Sequence, residues 1–92
     1  MMAMTSKEEH QRNLIARLRR VEGQIRGIQG MIEKGAECEA VAQQLAAARR
    51  ALDRSFYEMI ACSMEMEIQQ APNVSAARQA GTQVGKLLAK YG

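Results

Sequence analysis

Two kinds of side chain in this 92-residue sequence have the chemistry for a specific role, the thiols and the guanidinium groups. The thiols are Cys38 and Cys62, too few for a disulfide scaffold. In a reducing compartment such thiols are buried hydrophobes, metal ligands or reactive nucleophiles. The guanidinium groups cluster. Arg17, Arg20 and Gln24 fall on one helical stripe, with Arg19 and Arg26 beside it. Arg49, Arg50 and Arg54 form a second cluster. Grouped arginines hold phosphates through bidentate, charge-assisted hydrogen bonds. The balance of 13 Lys+Arg against 10 Asp+Glu gives a net charge of only +3, but the charge is uneven. Residues 1–30 carry six basic and three acidic groups, residues 31–70 four and seven, and residues 71–92 three and none. A basic first third suits a polyanion.

Enzyme chemistry has little to build on. There is no nucleophile elbow, no phosphate-binding glycine loop and no His-rich metal motif. The single histidine, His10, reads as a solvated side chain among polar neighbours. The carboxylates sit where helix caps and i,i+4 pairs put them, and no acid/base constellation emerges. No apolar run approaches the ~18–20 residues of a membrane span. The polar first ten residues lack the apolar stretch of a signal peptide, so a cytoplasmic location is expected.

Three helices position these groups. The first is expected from about Lys7 to Glu33, with Thr5–Glu8 and Ser6–Glu9 at capping-box spacing. Its apolar stripe is Leu14, Leu18, Val21, Ile25, Ile28 and Ile32. Gly23, Gly27 and Gly30 either weaken this helix or admit close approach by another one. Lys34-Gly35 supplies a stop. The second helix is expected from about Glu37 to Gln70, roughly 50 Å long. Its seam has 3-4 spacing: Cys38, Val41, Leu45, Ala48, Leu52, Ser55, Met59, Cys62 and Met66. Pro72 ends it, and Asn73 caps a third helix from about Val74 to Lys90, with Val74, Ala77, Gly81, Val84, Leu88 and Tyr91 on one stripe. With aromatics at 3%, and Ala (15) and Met (7) in their place, the core is thin. So long a second helix needs a partner along its length.

The run RLRRVEGQIRGI, followed by one Cys in GAECEAVAQQLAAARRA, resembles the copper-, nickel/cobalt- and formaldehyde-sensing repressors (CsoR, RcnR and FrmR members). The resemblance covers roughly Lys7 to Lys90. It implies one all-α domain over residues 1–92 that binds DNA and senses an effector. It further implies three helices per protomer, an antiparallel four-helix bundle dimer and a flat homotetramer on operator double-stranded DNA. Effector binding releases the DNA. The family's DNA-contacting residues correspond to Arg17 and Arg54, and the clustering adds Arg20 and Arg49.

The family's sensing cysteine corresponds to Cys38, at a helix N-terminus whose dipole favours thiolate, with Glu37 and Glu39 acting against it. Metal-sensing members add ligands at the positions of Ser63, Glu67 and, for nickel/cobalt, Ser6. The usual nitrogen and sulfur ligands are missing there. One reading makes Cys38 a reactive thiol for formaldehyde or a sulfur species, with Ser63 and Glu67 around it. Glu67 agrees with the formaldehyde branch; Ser63 does not, and Met2 stands where that branch has proline. A second reading shifts the site by one residue. If two copies of the second helix cross antiparallel near residues 50–52, Cys38 of one meets Cys62 and Met66 of the other, a soft set for Cu(I). The same two thiols could instead react with persulfide. The spacing of 24 residues differs from the 29 of persulfide-sensing members. Cys62, Met59 and Met66 also fit as ordinary core residues. A helical metal carrier without DNA binding is the alternative from another class, and it would have no use for the arginine clusters.

Overall fold

The computed structural model describes residues 6–92. Thr5, Met2 and the side chain of Ser6 lie outside the described residues, and with them both capping-box pairs. The elements are α1 (Ser6–Glu33), α2 (Cys38–Gln70) and α3 (Val74–Tyr91). Each boundary has a local cause. Gly35 takes φ 75°, its N–H donates to Ile32 O, and the Ala36 N–H donates to Met31 O at 2.9 Å. That pattern is a Schellman motif, in which a left-handed glycine lets the chain turn back on the last carbonyls. Glu37 is extended at the start of α2 and makes no side-chain cap, so α2 begins at Cys38 rather than Glu37. Before Pro72, Ala71 is extended, and Asn73 Oδ1 accepts the Ala76 N–H at 2.8 Å to open α3.

α1 and α2 lie antiparallel. The register is marked by His10 beside Glu65 and Arg17 beside Glu58, each at 2.9 Å. The same register sets Val21 level with Ser55 and Ile28 with Ala48, and these four are buried. The Ser55 hydroxyl is satisfied by donating to Ala51 O at 3.1 Å. α1 therefore covers Ala48 and Ser55, so the α2 seam is not wholly left to a partner. Of its other members, Cys38, Leu45, Leu52 and Met59 stay exposed, and Val41, Cys62 and Met66 are half-buried. The α1 stripe divides in the same way: Val21 and Ile28 are buried, while Leu18, Ile25 and Ile32 are open. α3 packs on α2 alone. It buries Ala80 and Val84, whereas Gly81, Leu88 and Tyr91 of the expected stripe are exposed.

The three helices make a layer of 58 × 40 × 12 Å, one helix thick. The radius of gyration is 17.9 Å, where a compact chain of this length gives about 12 Å. The accessible surface is 7325 Å², against about 5300 Å² for a globular monomer of this mass. A single layer has no second layer to bury its apolar side. An added Cβ at Gly23, Gly27 or Gly30 would meet nothing within 4 Å, so no described helix of this chain makes the close approach these glycines allow.

Candidate effector pocket and basic groove

The layer has two unlike faces, and the 100° step of an α-helix explains them. From the inward line through Val21 and Ser55, Leu18, Ile25, Leu45, Leu52 and Met59 turn toward one face. Arg17, Arg20, Gln24, Arg50 and Arg54 turn toward the other. Because the helices run antiparallel, the same sense of rotation reaches the same face on both.

On the basic side, a groove is lined by Arg17, Arg20, Val21, Gln24, Ala47, Arg50, Ala51 and Arg54. Three of the four arginines that the sequence assigns to DNA contact, Arg17, Arg20 and Arg54, thus meet across two helices. Arg49 does not join them; Arg50 does. One residue along a helix is about 100° of rotation, enough to carry Arg49 out of the groove. The 3.6-residue period would have picked Arg50 once Arg54 was assigned, since the two are i,i+4 neighbours.

On the apolar side, a pocket of about 220 Å³ lies between the start of α1 and the end of α2. It is lined by Lys7, His10, Gln11, Leu14, Glu58, Met59, Cys62, Ser63, Met66 and Gln70. The structure therefore gathers Cys62, Ser63 and Met66 in one place. Glu67 is not with them. It lines a depression against α3, beside Gln70 and Ala80. Cys38 is exposed at the opposite end of α2. Twenty-four residues of helix separate the two thiols by about 36 Å, so no site within one chain can use both. His10, read from sequence as solvated, lines the pocket and bonds to Glu65. Nothing in the sequence pattern pairs residues 55 positions apart.

Among this pocket's lining groups are one thiol, two thioethers and one imidazole. That set suits Cu(I) better than a hard cation. Among the described residues, no three His, Cys, Asp or Glu side chains gather as a metal site. One ion pair joins the two faces. Arg17 lines the basic groove, its partner Glu58 lines the pocket, and Arg17 Nε lies 2.9 Å from Glu58 Oε2. Both atoms are buried, and the N–H is too poorly aligned to make a hydrogen bond, so the attraction between them is chiefly coulombic.

The chain matches the family model for the metal-sensitive transcriptional repressor over residues 10–90. A variant of the formaldehyde-responsive regulator FrmR from Salmonella enterica serovar Typhimurium superposes with TM-score 0.74 at 26% identity, covering 91% of this chain and 96% of that one. The copper-sensing repressor CsoR with Cu(I) from Geobacillus thermodenitrificans superposes with TM-score 0.76 at 24% identity, covering 99% and 93%; at that identity the likeness is one of fold. An uncharacterized Serratia marcescens protein, encoded in the bioA 5′ region, is 42% identical over 50 residues, 54% of this chain. The chain spans about half of that relative's length, 55%. No described helix is long and apolar enough to cross a membrane. With the match running from residue 10 to residue 90 and the three-helix layer shared, the chain belongs to the CsoR/RcnR/FrmR family of metal-sensitive transcriptional repressors.

Proposed function

We propose that this protein is a homo-oligomeric repressor that binds operator double-stranded DNA through its basic groove and releases it when an effector acts at the Cys38 site. The family is one of transcriptional repressors, which are not enzymes. The observation that carries the reading is the convergence of Arg17, Arg20, Arg50 and Arg54 from two helices on one face, while the apolar rows occupy the other. The apolar face is where a second copy packs, giving an antiparallel four-helix bundle, and dimers pair into a tetramer. The whole chain, residues 1–92, acts as one DNA-binding and effector-sensing unit.

The effector is a small thiol-reactive species. Formaldehyde adds to the Cys38 thiol with formation of a carbon–sulfur bond and transfer of the thiol proton to the oxygen. A persulfide reacts by exchange: Cys38 displaces hydrosulfide, and Cys62 of the partner then displaces the carrier thiol to leave an inter-protomer disulfide. Ser63 stands beside Cys62 in the pocket; Glu67, off toward α3, would reach an adduct only from the rim. A second reading is favoured by the pocket's donors: Cu(I) held by Cys38 of one protomer with Cys62 and Met66 of the other. DNA and effector oppose each other by linkage, so operator binding weakens effector binding by the same factor.

Two measurements test this. Arg17→Ala and Arg54→Ala are expected to weaken operator binding and to lower its salt slope by about one per lost phosphate contact. Unchanged, salt-insensitive binding sinks the DNA assignment and favours a metal carrier. Mass spectrometry of the reduced protein after separate exposure to formaldehyde, persulfide and Cu(I) distinguishes the effectors. An adduct that needs only Cys38 supports formaldehyde, a Cys38–Cys62 linkage supports persulfide, and a copper complex lost in Cys62→Ala supports the soft site. No change with any of the three removes all of them.

A further inference from the structure

We propose that His10 is a ligand for a soft cation, Cu(I), held together with Cys62 and Met66 in the pocket between the start of α1 and the end of α2. The inference rests on the copper reading above and adds a donor from a different helix. His10 is the single histidine of the sequence, and it lines the same pocket as Cys62, Met59 and Met66. Its Nε2 lies 2.9 Å from Glu65 Oε2, and Glu65 is not among the residues lining the pocket. A neutral imidazole that donates from Nε2 keeps its lone pair on Nδ1, the nitrogen left for a ligand. Metal-bound histidines are held in this manner: a carboxylate takes the outer N–H, fixes the tautomer and raises the basicity of the inner nitrogen. The carboxylate also sits next to the sulfur donors in sequence, one residue before Met66 and three after Cys62.

As a stability device the His10–Glu65 pair is weak. Its side chains are 29% and 45% exposed, and solvent screens such pairs. Its geometry serves orientation better than cohesion. Imidazole, thiolate and thioether together match a monovalent soft ion, whereas a hard divalent ion would call for oxygen ligands. On binding, the Cys62 thiol releases its proton to solvent, so thiolate and Cu(I) cancel in charge. Three donors come from one protomer, and the partner's cysteine completes rather than creates the site. Glu58, on the rim of the same pocket, places the ion near the carboxylate that holds Arg17.

The test is anaerobic Cu(I) competition against a chromophoric chelator, with X-ray absorption of the loaded full-length protein. Wild type, His10→Ala, Glu65→Gln, Cys62→Ala and Cys38→Ala are compared, with helix content checked by circular dichroism. His10→Ala is expected to lower Cu(I) affinity about tenfold or more and to remove the nitrogen scatterer. Glu65→Gln keeps the nitrogen and loses affinity only a few-fold. Should His10→Ala keep both the affinity and the nitrogen signal, the role of His10 is overturned and the sulfur-only copper site survives. A wild-type protein that takes up no Cu(I) overturns both.

Discussion

Leu52 offers the sharpest test of how the layer completes itself. It lies on the apolar face, 45% exposed in the single chain, near the point where two copies of α2 would cross. Fully burying a leucine stabilises by about 1.5–3 kcal/mol, so burying the remaining 45% contributes about 1 kcal/mol per copy. A two-fold interface counts it twice, giving about 2 kcal/mol, or roughly a 30-fold change in the dimer Kd for Leu52→Ala. Leu52→Glu does more, because it sets two carboxylates close together in an apolar interface. The surface available is ample. The chain exposes 7325 Å² where a compact globule exposes about 5300 Å², and about 800 Å² per partner suffices for a stable interface. Sedimentation velocity over a range of concentrations reads the effect directly. Leu52→Glu is expected to sediment as a smaller species at micromolar concentration and to melt lower, since α1 and α2 alone bury few side chains. If Leu52→Glu sediments and melts like wild type at every concentration, this face is not the interface, and a Cys38–Cys62 site across it fails too.

Three further outcomes follow from the described contacts. Arg50→Ala should weaken DNA binding by several-fold more than Arg49→Ala, as read by fluorescence anisotropy at fixed salt, because Arg50 lines the groove and Arg49 does not; equal effects would move the DNA surface elsewhere. Glu58→Gln should tighten DNA binding a few-fold and steepen its salt dependence, since Arg17 no longer divides its charge between Glu58 and phosphate; weaker binding would mean that Glu58 positions Arg17 rather than competing for it. Gly35→Ala should lower stability by about 1 kcal/mol in urea melts, because an alanine is strained at φ 75°, and no change would mean that the turn relaxes at no cost.

Much of the local structure was legible in the residues themselves. Gly35, Pro72 and Asn73 act within one turn of their own backbone, so the helix ends fall within a residue or so of where sequence places them. The family and the excess of arginine on the first helix were legible too, since both depend on residue type and spacing along the chain. What sequence could not supply is the direction each helix faces. Periodicity gives the angle between Arg49 and Arg50, but only the packing of Val21 and Ile28 on Ser55 and Ala48 determines which of them enters the groove. The α2 seam read as one stripe; the approach of α1 split it into a covered line and an open one. His10 meets Glu65, and Glu58 meets Arg17, through the register of two antiparallel helices. Glu67 turns to α3 because that helix packs beside it. Short-range chemistry thus sets where helices start and stop and what they carry. Long-range packing, which depends on many weak apolar contacts acting together, decided which of those groups share a site.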